Sequence, residues 1–342
     1  MSLKNLSAVN KIPKKLKTKL LNKRILRLYK NFEKSFNIKD SFIVAISGGP
    51  DSLALAFLTK IYSLKNGINS KFFIVDHKLR KESTEEAKLV QKNLKKFLIN
   101  AKILTWRGKK PKKNIQSLAR KKRFHLLNLE CKKHKINNII LGHHLDDLLE
   151  NFFIRMLRGS GLKGLTSLNK IVKFDDFLIH RPLLDFKKKD LIFLSSNVFN
   201  FFVEDPSNLD DKFKRIRIRN LIKGLVQEGL DKKKFLLTIN NLNYSNRAIS
   251  HYVDQNIREN SFFNKKKKFL ILNNKFFDHA HEIVFRSLSE SIKKIGNKHY
   301  PRRGRKIENI IKKIEKNTLF KETLGGCIIK MVNQSIIISK EY

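Results

Sequence analysis

The chain has 342 residues, 41% of them hydrophobic, and its 74 Lys and Arg against 30 Asp and Glu give a formal net charge of +44. This length predicts two domains, each able to bury a core, and no apolar run approaches the ~20 residues that span a membrane. The two cysteines, Cys131 and Cys327, lie too far apart along the chain to suggest a disulfide framework or a zinc site.

The positive charge favours a polyanionic partner, with nucleic acid as the first candidate. The alternative is that a chain rich in Lys, Asn, Ile and Phe carries many lysines on solvated faces without a binding role. The N-terminus is basic and amphipathic, and it has neither an apolar leader segment nor a small-residue cleavage site. We therefore expect a cytoplasmic protein with no membrane partner and no evident obligate protein partner.

Residues 1–40 have the pattern of basic helices, and a glycine turn follows the first buried strand. That strand is predicted at 42–46, a helix begins near Leu53, and the turn between them is Ser47-Gly48-Gly49-Pro50-Asp51-Ser52. Adjacent glycines let a ligand approach the backbone, and amides at a helix start favour an anion. The turn predicts a phosphate cradle, with a purely structural turn as the alternative. It has neither the Walker A ending nor the dinucleotide-binding fingerprint.

Strands and helices alternate through the next hundred residues. Ser83 and Glu86 have the spacing of a capping box at the start of one helix. The alternation predicts an α/β fold, a mostly parallel sheet with helices on both faces. Strands are predicted at 71–75, 103–106 and 137–141, and helices at 83–98 and 114–134.

Three polar clusters directly follow predicted strands. They are the glycine turn, Asp76-His77, and the segment from His143 to Glu150. Because ligands bind at the carboxyl ends of parallel strands, we expect the three clusters to meet at one edge of the sheet.

The last of these clusters is acidic in an otherwise basic chain. His143, Asp147 and Glu150 have the spacing of one helix face, and His144 and Asp147 are three residues apart. With Asp146, these carboxylates can hold Mg²⁺ or accept an ammonium group. The alternative is that the acids complement the dipole of a first helical turn while the histidines cap or pack.

The residue pattern changes beyond about residue 210. Residues 212–260 are predicted to be helical and basic, and two possible strands follow at 268–272 and 335–339, the second after the Gly325-Gly326 turn. We predict a second, smaller and mainly helical domain over residues 212–342, after a first domain over 1–211.

Several motifs resemble one enzyme family. SGGPDS at 47–52 is similar to the pyrophosphate loop (PP-loop) of N-type ATP pyrophosphatases, and GHHLDDLLEN at 142–151 resembles the GHH-x-DD-x-x-E-T signature of the tRNA(Ile)-lysidine synthase family within that group. The order and spacing agree from about residue 42 to 220. Further matching segments are VDHKLR at 75–80, AR-x-x-RF at 119–124, RGSGLKGL at 158–165, RPLL at 181–184, EDPSN at 204–208 and, near the end, LGGCIIK at 324–330.

The resemblance implies a ligase that uses ATP and Mg²⁺. ATP would adenylate the C2 carbonyl oxygen of the wobble cytidine in a CAU-anticodon tRNA(Ile), and the amine of free L-lysine would then displace AMP. An adenine nucleotide alpha hydrolase-like domain over 1–211 would carry the chemistry, and the domain over 212–342 would bind tRNA.

The resemblance also implies roles for particular residues. The catalytic set would be Asp51, His144 and Asp147, with Asp51 and Asp147 holding the metal. ATP would bind Ser47, Gly48, Gly49, Pro50, Asp51, Ser52, Asp76, His77 and Arg120. Substrate lysine would bind Asp146, Asp147 and Glu150, and tRNA would bind Arg158, Arg215, Arg217 and Arg219 together with the basic loop 107–113.

The chain departs from the family pattern at three positions. Leu148 and Asn151 stand where the family has Gln and Thr, and Ile216 stands where it has Asn. The rival hypotheses are another adenylating enzyme, such as a tRNA thiolase or an amidotransferase-linked synthetase, and a basic RNA-binding protein with a vestigial ATP site. The cysteines fit no thiolase pattern, and the intact SGGPDS and HHLDD segments argue against a vestigial site.

Overall fold

Residues 42–46 form the centre of a six-stranded sheet because their side chains are apolar on both faces of the strand. The computed structural model describes residues 12–80, 82–108, 115–174, 176–204, 212, 214–264, 268–296 and 304–341. Along this strand, β1 (Phe42–Ile46), Phe42 and Val44 enter one buried core and Ile43 enters another. This alternation follows from the two-residue period of a strand, and it requires helices on both faces.

Parallel strands flank β1 on both sides. β2 (Ser70–Asp76) and β4 (Asn138–Ile140) pair with β1, and β3 (Ala101–Thr105) pairs with the outer edge of β2. Beyond β4 the antiparallel strands β5 (Ile171–Phe174) and β6 (Phe177–His180) follow, with β6 parallel to β4. The strand order is β3-β2-β1-β4-β6-β5. From β1, the chain adds β2 and β3 on one side of the sheet and then β4, β6 and β5 on the other. The order in which strands are added therefore reverses between the parallel strands β1 and β4, and doubly wound sheets bind ligands at such a point.

The helices cover the two faces of this sheet unequally. The face that carries Phe42 and Val44 is covered by α1 (Lys14–Lys19), α2 (Lys23–Ser35), α3 (Pro50–Asn66), α4 (Ser83–Lys95) and α8 (Lys188–Phe199). The opposite face is covered by α5 (Ile115–His134) through Phe124 and Leu127. The remaining helices of this region are α6 (Leu145–Met156), α7 (Leu162–Leu165), α9 (Lys214–Gln227) and α10 (Lys232–Asn260), of which α9 packs against α6.

The chain folds into two compact units that divide between Leu236 and Leu237, within α10. The division lies further along the chain than residue 212, where the second domain is predicted to begin, and the extent of the two functional domains stays a prediction. No helix in the described ranges is both long and apolar enough to cross a membrane.

The second unit contains its own sheet and core. Five antiparallel strands have the order β7-β8-β11-β10-β9, and leucines and isoleucines of the sheet pack against the helices. The strands are β7 (Ser261–Asn264), β8 (Phe269–Leu272), β9 (Lys321–Leu324), β10 (Cys327–Val332) and β11 (Ser335–Lys340). In addition to the later part of α10, the second unit has the helices α11 (His281–Gly296) and α12 (Gly304–Glu315) and a 3₁₀ turn at Asn274–Phe277.

The predicted mostly parallel sheet, with helices on both faces, is confirmed. The capping box is wrong, because Ser83 is the first residue of α4 and its hydroxyl donates to Asp76 Oδ1 at 2.9 Å. His143 precedes α6 instead of belonging to it, so it does not share a helix face with Asp147. In the second unit, β8 and β11 match the two predicted strands; β7, β9 and β10 were not predicted.

The loops after β1 and β4 are in backbone contact at Gly142. A Cβ atom at this position would lie 3.3 Å from the carbonyl carbon and oxygen of Asp51 and 3.4 Å from Ser52 Cα. Those atoms belong to the backbone of the glycine turn and the start of α3, so they cannot rotate away as a side chain would. The absence of a side chain at Gly142 therefore sets how closely the two loops approach.

We predict that Gly142→Ala lowers the free energy of unfolding by about 1–3 kcal/mol, the usual effect of overpacking. Chemical denaturation at neutral pH measures this change. Gly224→Ala is the matched control, since Gly224 is in α9 with no atom within 4 Å of the added Cβ; alanine there should leave stability unchanged or raise it slightly. Equal stability of Gly142→Ala and wild type would contradict the packing argument.

Candidate active site

The glycine turn is held in shape by one buried hydroxyl. Ser52 Oγ accepts hydrogen bonds from the amides of Ser47 at 3.2 Å and Gly48 at 3.1 Å, and it donates to the Gly49 carbonyl at 2.9 Å. Gly48 has a φ of +90°, which an L side chain rarely adopts. Pro50 begins α3, so the first-turn amides after it point out of the helix toward any bound anion. The turn is thus a preformed anion cradle, with Ser52 organising it from within.

Asp51 carries the first carboxylate of the site. Lys188 Nζ donates to Asp51 Oδ1 at 2.8 Å and to Oδ2 at 2.6 Å. The same helix, α8, also anchors the turn through Ser195 Oγ, which donates to the Pro50 carbonyl. Helices α3 and α8 pack along each other, and this packing places a lysine at the mouth of the cradle.

His144 connects the cradle to the acidic cluster. It caps α6: its Nδ1 accepts from the Asp146 amide at 3.2 Å, and its own amide donates to Asp147 Oδ2 at 3.0 Å. Because Nδ1 is an acceptor, the ring proton of the neutral imidazole is on Nε2. Nε2 lies 3.6 Å from Asp51 Oδ2 and 3.5 Å from Asp147 Oδ2. The two carboxylates therefore face the same N–H group, and the two loops form one site.

Each carboxylate of the acidic cluster is paired with a cation from a later helix. Lys232 Nζ donates to Asp146 Oδ1 at 2.7 Å. Arg215 donates to Asp147 Oδ1 at 2.6 Å and also to Glu150 Oε2, and Arg219 Nε donates to Glu150 Oε1 at 2.8 Å. Glu150 is 1% exposed, so without these arginines its charge would be buried and uncompensated. The pairs bind α9 and the start of α10 onto α6.

The pKa of Asp147 reflects this surrounding charge. Burial alone raises the pKa of this carboxyl. The adjacent His144, His143 and Arg215, together with the hydrogen bond from the His144 amide, outweigh burial and hold the pKa of Asp147 below its usual value. Asp147 is therefore an anion at neutral pH.

Asp76 ends β2 and is buried, and the half-buried His77 follows it. Asp76 is 2% exposed, and its carboxylate accepts from Ser83 Oγ, Thr84 Oγ1 and the Lys78 amide at 2.8–2.9 Å. Among the described residues, neither ring nitrogen of His77 has a hydrogen-bond partner, although both are buried. Burial and the nearby charge of Arg123 lower the pKa of His77 to about 4, against the opposing effect of Asp76. Asp76 orders its loop, and His77 is a neutral ring with buried nitrogen atoms.

Three arginines place positive charge near the ring of His143. Burial and the charges of Arg181, Arg120 and Arg215 lower the pKa of His143 to about 3, against the effect of Asp147. Arg181 is 4% exposed, and burial with the charge of Arg120 lowers its pKa to about 10. Within the described part of the chain, His143 Nδ1 and Arg181 Nε lack hydrogen-bond partners. Buried polar atoms of this kind are usually satisfied by a ligand or by water, and cationic ones favour an anionic ligand.

The arginines predicted to contact tRNA fall into two groups. Arg215 and Arg219 pair with the acidic cluster, whereas Arg158 is exposed in the turn after α6. Arg217 lies on α9, and its Nη1 donates a hydrogen bond to the Lys212 carbonyl at 3.4 Å. Residues 109–114 and 205–211 lie outside the described residues, and these ranges include most of the basic loop 107–113 and of the EDPSN segment.

Three cations of this site, Lys188, Lys232 and Arg181, were not predicted from the sequence. Lys188 is one of three consecutive lysines, and nothing in the sequence distinguishes it from its neighbours. Arg181 was noted only within the RPLL segment. It directly follows β6 (Phe177–His180), and the three apolar residues that begin this strand were the available signal that Arg181 lies at the carboxyl edge of the sheet.

Comparisons with known proteins agree with this geometry. Residues 17–225 match the family model described as the PP-loop domain. The chain is 35% identical over 321 residues to the tRNA(Ile)-lysidine synthase of Orientia tsutsugamushi, covering 90% of this chain and 71% of that protein. It is 33% identical to the enzyme of the same name from the Wolbachia of Brugia malayi, covering 87% and 70%.

Among solved structures, the U34-tRNA thiolase NcsA from Methanococcus maripaludis shares the fold. The TM-score is 0.56 and the identity 16%, over 65% of this chain and 78% of that one. The glycine turn and the acidic helix beside it are consistent with the family that the sequence identity over most of the chain indicates. The chain belongs to the tRNA(Ile)-lysidine synthase family and is an ATP-using ligase of the PP-loop group.

Proposed function

We propose that this enzyme joins free L-lysine to C2 of the wobble cytidine in a tRNA(Ile) with a CAU anticodon. The observation that carries the proposal is the contact of Asp51 and Asp147 with one nitrogen of His144, at 3.6 and 3.5 Å. Through this contact the glycine turn, which is suited to phosphate, lies next to carboxylates that bind cations. A reaction between an adenylate and an amine needs both groups close together. The names of the relatives supply the nucleic acid, tRNA(Ile), and the product, lysidine; free lysine as the source of the amine is part of the proposal.

The first step of the proposed reaction occurs at the cradle. The C2 carbonyl oxygen of cytidine attacks the α-phosphorus of ATP, the bond to the β-phosphate breaks, and pyrophosphate leaves. The first-turn amides of α3 and the nearby Lys188 oppose the charge that develops on pyrophosphate. Ser52 acts indirectly, by fixing the turn.

The second step occurs at the acidic cluster. The lysine amine attacks C2, the bond from C2 to the adenylate oxygen breaks, AMP leaves, and the amine loses a proton. Lys232 already places an ammonium group on Asp146, which supports this cluster as the ammonium-binding part of the site. Neutral His144 has its Nδ1 lone pair engaged and a proton on Nε2, so the geometry favours the Asp147 carboxylate as proton acceptor.

The donor set fits Mg²⁺. This ion usually keeps several waters and binds one or two carboxylates together with substrate phosphates; Asp51 and Asp147 are such a pair, beside the cradle. Within the described ranges, no group of three or more His, Cys, Asp and Glu side chains forms a complete protein-only metal site. When bound, the ion would neutralise phosphate charge and make pyrophosphate a better leaving group.

The cysteines argue against sulfur transfer as the reaction. Cys131 and Cys327 are both buried and form no disulfide, and the Cys327 thiol donates to the Ile292 carbonyl. Burial raises the pKa of Cys131 to about 11, the opposite of what a nucleophilic thiolate requires. The shared fold with a tRNA thiolase therefore does not extend to a reactive thiol in this chain.

We expect the wild-type enzyme to incorporate radiolabelled lysine into a CAU-anticodon tRNA(Ile) transcript only when ATP is present, and not after the wobble C is replaced by U. Asp147→Asn should lower the turnover by at least about a hundredfold, as for loss of a general base. The matched control is Asp176→Asn, at a carboxylate with an 80% exposed side chain. Pyrophosphate release without lysine incorporation would indicate that the enzyme carries out a different base modification. Unchanged turnover of Asp147→Asn would show that Asp147 is not the proton acceptor.

RNA binding should weaken steeply with salt, because phosphate contacts by Lys and Arg release counterions. We expect the affinity for the transcript to fall by at least about tenfold between ~50 and ~200 mM salt. Filter binding or fluorescence anisotropy at several salt concentrations gives the slope. A flat dependence would show that the +44 charge contributes little to binding.

The neutral His77 predicts a pH-dependent stability. Its pKa is about 4 in the folded protein and near 6.5 when unfolded, so only the unfolded chain takes up this proton between those values. The free energy of unfolding should therefore fall as the pH drops from about 6.5 toward 4. In His77→Gln the difference between pH 7.5 and pH 5 should be smaller than in wild type. Exposed His125→Gln is the control, and an equal pH dependence in all three proteins would refute the assignment.

A further inference from the structure

Lys188 is the lysine at the mouth of the phosphate cradle, and it lies outside the motifs that carry the family resemblance. We propose that Lys188 is a pyrophosphate-binding residue, which neutralises Asp51 before nucleotide binds and the β- and γ-phosphates of ATP afterwards. The proposal rests on the proposed function only as far as ATP cleavage at the cradle. Its basis is the position of one ammonium group.

The chain places three lysines in a row at the start of α8, and only the middle one faces the cradle. Lys188 Nζ reaches both oxygens of Asp51, at 2.8 and 2.6 Å, whereas Lys187 and Lys189 are exposed. Ser195, two turns further along α8, donates to the carbonyl of Pro50. Two contacts from one helix therefore fix the ammonium group against the first turn of α3.

That first turn is already suited to an anion. Its amides point outward, and the helix macrodipole adds partial positive charge. Asp51 provides a negative charge in the same place, which by itself would repel an incoming triphosphate. The Lys188 ammonium offsets this charge, so the pair makes the entrance to the cradle nearly neutral.

Stability alone does not account for the pair. The side chains of Lys188 and Asp51 are 36% and 23% exposed, and ion pairs with this much solvent contact contribute little to folding. The same exposure leaves the ammonium accessible to a ligand. A triphosphate carries several negative charges against one on Asp51, so the ammonium has more to gain from the phosphates once they arrive.

The first test measures the affinity of each variant for a non-hydrolysable triphosphate, adenylyl imidodiphosphate, and for AMP. We expect Lys188→Met to weaken triphosphate binding by about ten- to a hundredfold, as for loss of a hydrogen bond to a charged group, and to leave AMP binding unchanged. Lys188→Arg should retain most of the triphosphate affinity. Lys189→Met, which removes the same charge one residue away, should match wild type. An equal loss for AMP and triphosphate, or no loss for either, would overturn the proposal.

The second test separates phosphate binding from the positioning of Asp51. Asp51→Asn removes the carboxylate, and Lys188→Met is then added to that variant. If Lys188 binds phosphate itself, the double variant should bind the triphosphate more weakly than Asp51→Asn alone; if Lys188 serves only Asp51, the two should bind equally and the proposal fails. Thermal unfolding is followed in parallel, and Lys188→Gln replaces Lys188→Met if the latter has lost its structure.

The outcome is distinguishable from failure of the proposed function. If the wild-type enzyme releases pyrophosphate but incorporates no lysine, the proposed substrate is wrong while the ratio of triphosphate to AMP affinities still decides the role of Lys188. If wild-type protein binds neither nucleotide, both proposals fail together.

Discussion

Two carboxylates from the first turns of different helices, Asp51 of α3 and Asp147 of α6, approach one imidazole nitrogen of His144, and the rest of the site depends on this contact. His144 can hold that position because its other nitrogen accepts from the Asp146 amide and its own amide donates to Asp147. The cap therefore does more than begin α6. It fixes the tautomer of His144, directs an N–H group at both carboxylates and aligns the acidic helix with the glycine turn. Gly142, two residues earlier, allows the backbones to come close enough for this arrangement.

Charge compensation explains how such an acidic cluster exists in a strongly basic chain. Asp146, Asp147 and Glu150 receive cations from α9 and α10, and Asp51 receives one from α8. Buried charges need such partners because desolvation is costly. Around His143 the balance is reversed, since the charges of Arg181, Arg120 and Arg215 act on this neutral ring. Among the described residues, His143 Nδ1 and Arg181 Nε have no hydrogen-bond partner. A region suited to cations therefore lies beside one suited to anions, which the proposed adenylation and amine-transfer steps would both use.

Much of the first unit could be predicted from sequence because its signals are local. The apolar strand at 42–46, the glycine turn and the helix after it are encoded within a few residues, and alternation of strands with helices implies a parallel sheet. The acidic cluster was equally visible as a run of residues. The pairs of Arg215 with Glu150 and of Lys232 with Asp146 were not, since they join positions more than sixty residues apart and any of many lysines and arginines could have formed them.

Other errors came from competition between nearby partners. Ser83 has the spacing of a capping residue, but the carboxylate of Asp76 takes its hydroxyl instead. In the second unit, β7 and β9 are four-residue strands at the two edges of the sheet, with few buried side chains, so they lack the apolar alternation that predicts a strand. The short hairpin of β5 and β6 escaped because β5 is likewise a mostly exposed edge strand, although β6 leads directly to Arg181.

The hydroxyl of Ser52 has a consequence for the energetics of the cradle. One oxygen atom accepts two amides of the turn and donates to the carbonyl of Gly49, so hydrogen bonds within the turn hold its shape. The conformational entropy of ordering the turn is then lost during folding, and a phosphate that binds there as proposed would incur little further loss. A turn held in this way would meet the phosphates of a substrate and those of a departing product in the same shape. Selectivity between the two would then depend on groups outside the turn, such as the ammonium of Lys188.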